Sequence, residues 1–194
     1  MELYKSTRTA KATNIRDMTM IRKSLTAVCA ACLLFLAVSA HAASTAQVDA
    51  CFSPDGKCGQ RIVNRINTAK ERVYVAAFSF TSKHIAKALL RARQKGLDVR
   101  ILLDAGQWKE NNSRGHFLRE QGLQVRYDAG HKLMHSKYMV IDDDIVITGS
   151  YNFTNSAEYN NAENVLVLRD EKIADRYLED WKTHWDHGTS SPDR

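Results

Sequence analysis

Proline, glycine and cysteine are scarce in this chain of 194 residues, which has two prolines, nine glycines and four cysteines. So few prolines and glycines exclude a collagen-like repeat and a proline-rich disordered segment. Long hydrophobic runs are also missing. The longest, Leu25 to Val38, is shorter than the roughly 20 residues that a membrane-spanning helix needs. The composition is 44% hydrophobic and 26% charged, which is ordinary for a single globular domain.

Residues 1–42 are predicted to be an N-terminal extension that ends in a cleavable signal peptide. Arg22 and Lys23 precede the apolar run, and Ser-Ala-His-Ala follows it at 39–42, with small residues at positions −3 and −1 of a cleavage site. Residues 43–194 would then form the mature domain, periplasmic or secreted and without a stable membrane span. A leader that is kept as a membrane anchor is the alternative.

Charge favours no particular partner once this leader is set aside. The whole chain has a formal net charge of +6, but residues 1–42 contain six basic and two acidic residues. The mature domain keeps 22 basic and 20 acidic residues, a net charge of +2. A strong basic excess is typical of nucleic-acid-binding domains, so the bulk charge gives no support to that assignment.

Two cysteines remain in the mature domain, Cys51 and Cys58, on either side of a Pro-Asp-Gly turn. In an oxidising compartment an even pair around a turn is typical of a local disulfide. Two free thiols are the alternative. A zinc site is disfavoured because no second pair of cysteines or histidines lies nearby at ligand spacing. We therefore expect a Cys51–Cys58 disulfide.

Strand and helix patterns alternate along the first half of the domain. They predict strands at 72–80, 98–104 and 123–127, with helices at 60–70, from a Ser82 cap to Gly96, and at 113–121. The second half predicts a hairpin of strands 137–141 and 145–148, a strand at 164–169 and a helix at 170–185 that buries Trp181 and Trp185. The expected fold is one α/β domain, with a mixed, mostly parallel central sheet and helices on both faces.

The segment with the most candidate catalytic residues begins at His135. His135 and Lys137 are two positions apart, so on a strand they face the same side. An imidazole beside an ammonium is costly to bury unpaired, but the pair suits a bound anion. Lys137 supplies a fixed positive charge, and His135 can attack or transfer a proton near neutral pH. Ser150 and Asn152, also two apart, follow the next strand and can donate hydrogen bonds to phosphate oxygens.

The chain resembles the phospholipase D superfamily, whose signature it matches at every fixed position: His135, Lys137, Asp142, Gly149, Ser150 and Asn152. It closely resembles the small, single-motif bacterial endonucleases of that superfamily. The resemblance includes segments 78–82, 153–158 and 161–164 and covers nearly all of residues 47–187. The match is long and composite, which makes it far more specific than a lone His-x-Lys pair.

The resemblance implies a metal-independent phosphodiesterase that needs no cofactor. Family enzymes use two His-x-Lys motifs in each active site, so a chain with one motif implies a homodimer with a shared site on its two-fold axis. His135 would form a phosphohistidine in one subunit and act as general acid and base in the other. Lys137 and Asn152 would bind phosphate oxygens, and Ser150 would line the same pocket.

Two acidic residues complete the set that the resemblance implies. Glu163 matches the residue that hydrogen-bonds and orients the histidine. Asp142 belongs with the catalytic motif as a supporting residue that does not itself react. No role is predicted for the other histidines. His131 lies four residues before His135, which is the i, i+4 spacing of some zinc sites, but the segment lacks the intervening glutamate of those sites. Surface positions are expected for the rest, namely His84, His116, His184 and His187.

The expected substrate is nucleic acid, DNA first and RNA also, cleaved endonucleolytically. The alternative enzyme is a phospholipase D that hydrolyses phospholipid headgroups. A third hypothesis comes from another class, a non-catalytic DNA- or surface-binding module that keeps the fold. The intact His135, Lys137, Asn152 and Glu163 disfavour it, since a decayed site would have lost one of them.

Overall fold

The computed structural model describes residues 46–192, which form a seven-stranded sheet with helices against it. The strands are β1 (Gln47–Ser53), β2 (Arg72–Ala77), β3 (Asp98–Asp104), β4 (Gln124–Asp128), β5 (Lys137–Ile141), β6 (Ile145–Gly149) and β7 (Glu163–Arg169). The helices are α1 (Cys58–Thr68), α2 (Lys83–Gln94), α3 (Gly115–Glu120), α4 (Asn155–Tyr159) and α5 (Glu171–His187), with a 3₁₀ turn at Ala105–Trp108.

The strands lie in the order β1-β7-β6-β5-β2-β3-β4. Parallel pairing joins β2 to β3 and β3 to β4, whereas the other four pairs of the described sheet are antiparallel. The predicted α/β class and mixed sheet are confirmed, but the expectation of a mostly parallel sheet is wrong. After β4 the chain returns to the middle of the sheet, where β5 pairs antiparallel with β2 and continues as a meander through β6 and β7.

Local signals place most of these elements. Strand β3 has the bounds predicted for it. Its apolar residues are buried on both faces of the sheet. The Ser82 side chain accepts a hydrogen bond from the Ile85 amide at the start of α2, and Gly96 ends that helix with a φ of 90°. Strand β1 was not predicted. It lies at the edge of the sheet, beside β7.

The sheet has a hydrophobic core on each face, as predicted. On one face, α1 and α2 pack against strand residues such as Val75. On the other face, α5 packs against the strand residues that point the opposite way, such as Ala76. Trp181 of α5 is 1% exposed and donates a hydrogen bond from Nε1 to the Val75 carbonyl at 3.0 Å. Trp181 and Trp185 stack with ring centroids 4.8 Å apart, so their assignment to the core is confirmed.

The predicted Cys51–Cys58 disulfide is present and ties β1 to the first turn of α1. The predicted extension and signal peptide, residues 1–42, lie outside the described residues. Within residues 46–192, no helix is long and apolar enough to cross a membrane.

Candidate active site

The start of β5 carries the His-x-Lys pair and lies where β2 ends. Lys137 is opposite Ala77 in the antiparallel register, and the Phe78 amide donates a hydrogen bond to the Ser136 carbonyl at 3.0 Å. An open depression forms there between β5, β6 and α5. Three of the predicted site residues, His135, Lys137 and Ser150, line it together, as the sequence spacing indicated.

Phe78 contacts both the histidine and the lysine. Its ring centroid is 4.4 Å from that of His135 and 4.7 Å from Lys137 Nζ. The aromatic face attracts the ammonium and packs the imidazole, so both side chains have a fixed support on one wall of the depression. The sequence placed Phe78 in a matched segment but gave it no role. We identify it as a positioning residue.

Lys137 is 9% exposed, which is unusual for a lysine. Its ammonium donates a hydrogen bond to the main-chain carbonyl of His135. Burial lowers the pKa of Lys137, and the negative charges of Glu163 and Asp104 counteract part of that effect. A half-desolvated cation of this kind gains more from a bound phosphate than an exposed lysine does, because less water competes for it.

Glu163 lies next to Ser150. The Ser150 hydroxyl donates to Glu163 Oε2 at 2.5 Å, and Asn161 Nδ2 donates to Glu163 Oε1 at 3.0 Å. Within the described part of a single chain, no hydrogen bond joins Glu163 to His135. The structure therefore does not provide, inside one subunit, the direct orienting contact that was predicted for Glu163. What it provides is a carboxylate that fixes Ser150 and raises the pKa of Lys137.

Asn152 lines a second groove, whose residues are all polar or charged. Its Oδ1 atom is buried and has no hydrogen-bond partner within the protein, so one polar atom is left to be satisfied from outside. The residues that line this groove are hydroxyls, amides and two cations: Ser79, Thr81, Lys83, Asn112, Arg114, Asn152, Thr154, Asn155, Ser156 and Asn161. Lys83 and Arg114 were not singled out from the sequence, since an isolated cation in a helix or loop carries no signal.

Asp142 does not lie at this site, which corrects its placement in the catalytic set. It follows the last residue of β5, and a five-residue strand spans about 16 Å. Asp142 has a φ of 52°, and its carboxylate accepts hydrogen bonds of 2.8 to 3.2 Å from the amides of Lys70, Glu71 and Arg72. It closes the β5–β6 turn and fastens the start of β2. Its role is structural.

Two other aspartates hold the loop 129–136 that delivers His135. Asp104, at the end of β3, accepts from the Met134 amide at 2.8 Å through Oδ2. Asp128, at the end of β4, accepts from the Gly130 amide at 2.8 Å through Oδ1. The sequence analysis missed both. The available signal was an acidic residue at the carboxyl end of each of two apolar strands, where ligand-binding residues often lie.

Comparison with known proteins agrees with the sequence and the geometry. Residues 62–185 match the family described as cardiolipin synthase, PLD-like domain. The phospholipase D of Rickettsia bellii (strain RML369-C) is 39% identical over 138 residues, which cover 71% of this chain and 69% of that protein. The mitochondrial cardiolipin hydrolase of Canis lupus familiaris is 33% identical over 137 residues, covering 70% of this chain and 54% of that protein.

A solved structure is similar over the whole described domain. Nuc from Salmonella typhimurium, a phospholipase D family member, matches with a TM-score of 0.71 at 33% sequence identity, covering 74% of this chain and 97% of that one. The chain therefore belongs to the phospholipase D superfamily, and it is a hydrolase that acts on phosphodiester bonds.

Proposed function

We propose that the protein is a metal-independent endonuclease that hydrolyses DNA, and RNA as well, in an active site shared by two subunits. The observation that carries the choice of substrate is the polar groove that Asn152 lines. Its lining contains two cations, no carboxylate and no apolar side chain. A sugar–phosphate backbone needs cations, hydroxyls and amides, whereas the acyl region of a lipid needs apolar surface. The resemblance to the single-motif bacterial endonucleases supports the same choice.

One chain supplies half of the chemistry. Displacement at phosphorus needs a nucleophile on one side and an acid for the leaving oxygen on the other, and each chain offers a single His135 beside a single Lys137. A homodimer with its two depressions face to face supplies both. Two imidazoles that share one phosphate take different protonation states, one neutral and one cationic. A bell-shaped dependence of rate on pH follows.

The proposed reaction has two displacements. His135 attacks phosphorus and forms a P–N bond while the P–O bond to the 3′ oxygen breaks, and His135 of the partner subunit gives its proton to that oxygen. The second histidine, now neutral, removes a proton from water. The resulting hydroxide attacks phosphorus and forms a P–O bond while the P–N bond breaks, which releases the 5′-phosphate and restores the free His135 imidazole. The products are a 5′-phosphate and a 3′-hydroxyl. The Lys137 ammonium of each subunit stabilises the charge on the phosphate oxygens, so no metal is required.

Plasmid DNA tests the nuclease proposal directly. We expect nicking and linearisation by the purified protein in EDTA, at a temperature where it stays folded. His135→Ala removes this activity, and His84→Ala is the matched control because His84 is exposed on α2, away from the depression. DNA cleavage that survives in His135→Ala would overturn the mechanism, and binding without turnover by the wild type would favour the non-catalytic alternative.

Mixing subunits tests the shared site. Wild-type and His135→Ala chains are refolded together in equal amounts, so that wild-type homodimers make up about one quarter of the dimers. If each site needs both histidines, activity falls to about one quarter of that of the same amount of total wild-type protein. Independent sites would leave about one half, as would a monomeric enzyme. Light scattering on the same sample gives the oligomeric state.

A phospholipase D that releases lipid headgroups is the second candidate. It is favoured by the names of two similar proteins, the phospholipase D of Rickettsia bellii and the mitochondrial cardiolipin hydrolase. Vesicles of phosphatidylcholine and of cardiolipin, assayed beside DNA at equal enzyme concentration, separate the two candidates. We expect DNA cleavage to dominate. Headgroup release or cardiolipin hydrolysis with intact DNA would select the lipid.

A further inference from the structure

A second group of functional side chains lies at the end of β4, outside the depression that holds His135. It consists of Asp128, His131, His184 and His187, whose potential ligand atoms all lie within 4.8 Å of one another. Asp128 is completely buried, His184 is partly buried, and the other two histidines are exposed. The proposed hydrolysis uses none of the four.

A main-chain bridge helps to bring this group together. Tyr127 and Thr189 form an isolated antiparallel bridge, with hydrogen bonds of 2.8 and 2.9 Å between their amides and carbonyls. This bridge holds the end of α5 beside the end of β4. His184 and His187 are three residues apart in α5 and so project from the same side of the helix. The group is therefore preformed.

The hydrogen bonds leave the group incomplete. Asp128 Oδ2 accepts from His184 Nδ1 at 2.8 Å and from His131 Nδ1 at 3.1 Å. The Gly130 amide donates to Asp128 Oδ1 at 2.8 Å, so both oxygens of the carboxylate accept hydrogen bonds. The His187 imidazole has no hydrogen-bond partner in the described chain and lies with its centroid 5.9 Å from that of His131.

We propose that Asp128, His131, His184 and His187 bind one Zn²⁺ ion. Three imidazole nitrogens and one carboxylate oxygen are a typical tetrahedral zinc donor set. Zinc–nitrogen bonds of about 2.0–2.1 Å place tetrahedral ligand atoms about 3.3 Å apart. The distances from His184 Nδ1 and His131 Nδ1 to Asp128 Oδ2 are already close to that spacing. Rotation of the two exposed histidines would bring the remaining ligand atoms to it. The four protein ligands fill the coordination sphere, as in structural sites.

The proposed ion positions the catalytic loop and takes no part in the reaction. His131 and His135 both belong to the loop 129–136, and the ion fastens His131 to β4 and to the end of α5. The loop is then held at its near end by zinc and at its far end by the bond from the Met134 amide to Asp104. A zinc site here is compatible with phosphodiester hydrolysis that needs no metal, and it gives a role to His131, His184 and His187, for which the sequence predicted none.

Zinc binding by the full-length protein tests the proposal. The protein is stripped with chelator, freed of chelator, and titrated with Zn²⁺ against a chromophoric competitor. Co²⁺ is added to a second sample for its absorption spectrum. We expect one Zn²⁺ per chain and the intense visible absorption of tetrahedral Co²⁺. His187→Ala should weaken Zn²⁺ binding more than about tenfold, because even an outer-shell partner of a metal site changes affinity 10- to 100-fold.

The variants are chosen so that folding does not decide the result. His187 makes no hydrogen bond in the described chain, so its loss removes a ligand and leaves the network of Asp128 intact. His84→Ala, an exposed histidine outside the group, should bind Zn²⁺ as the wild type does. Zn²⁺ should raise the Tm of the wild type and of His84→Ala, and should leave that of His187→Ala nearly unchanged.

Three results would overturn the zinc site. They are no Zn²⁺ uptake at micromolar concentrations, equal affinity in His187→Ala and His84→Ala, and a weak octahedral Co²⁺ spectrum. The first of these means that Asp128, His131 and His184 form a hydrogen-bonded group beside His187 without binding a metal. None of these readouts depends on DNA cleavage, so the failure of one proposal is distinct from the failure of the other.

Discussion

Replacement of Asp142 separates the structural part of the motif from its chemistry. The carboxylate accepts hydrogen bonds from three consecutive amides, those of Lys70, Glu71 and Arg72. The residue also has a φ of 52°, where asparagine and aspartate are tolerated better than alanine. Asp142→Ala removes the acceptor and adds backbone strain, whereas Asp142→Asn keeps the backbone and one neutral acceptor oxygen.

The expected loss follows from these contacts. Hydrogen bonds to a charged group contribute about 1.5–3 kcal/mol each. Most of these donors are near solvent and regain water in the variant, so about 1 kcal/mol for each of the three is the appropriate scale. Left-handed backbone at alanine adds about 1 kcal/mol. The free energy of unfolding should fall by about 3–4 kcal/mol in Asp142→Ala and by about 1–2 kcal/mol in Asp142→Asn.

Urea denaturation and steady-state kinetics together measure the two effects. With a slope of about 2 kcal/mol per molar urea, the midpoint should fall by about 1.5–2 M for alanine and about 0.5–1 M for asparagine. In the absence of urea, kcat of both variants should stay within about threefold of the wild type, since the residue lies at the far end of β5. A loss of about 100-fold in Asp142→Asn at unchanged stability would refute this reasoning.

Three further changes give separate tests. Burial lowers the pKa of Lys137, and the charge of Glu163 offsets part of that effect. In a catalytically inactive variant, oligonucleotide binding should therefore weaken as the pH rises towards the lowered pKa of Lys137. Glu163→Gln should move this loss to lower pH, and an unmoved curve would count against the coupling. Reduction of the Cys51–Cys58 disulfide, with a separation of seven residues, should lower the free energy of unfolding by about 2.5 kcal/mol without changing kcat. Trp181→Phe should lower it by about 2 kcal/mol through the lost indole hydrogen bond and stacking, and an unchanged urea midpoint would contradict that.

The elements that local pattern could predict are those whose own residues are buried. Strand β3 has bulky apolar residues on both faces, and α5 has a clear apolar stripe, so both were found. Strand β1 was missed because its large apolar residues, Val48 and Phe52, are exposed, while its buried residues are Cys51 and Ser53. The return of the chain from β4 to the middle of the sheet has no local signal either, and it is what makes most pairs antiparallel.

Only part of the candidate site, too, could be predicted from local sequence. The i, i+2 spacing on two neighbouring strands placed His135, Lys137 and Ser150 together, and the structure confirms that they share one depression. The sequence motif does not show that a whole strand separates its two ends, so Asp142 was assigned to the catalytic motif as a supporting residue, although it lies at the far end of β5. Asp128 and His184 are 56 residues apart and meet because α5 packs beside the end of β4, a contact that no spacing rule indicates.

The pairing of β1 with β7 also governs when this protein can fold. Gln47 is opposite Arg169, so the first described strand has no partner until almost the whole domain has been synthesised. Contacts between residues so distant in sequence slow folding, and they leave strand edges open on a nascent chain. We therefore expect the sheet to be completed only after β7 has been synthesised.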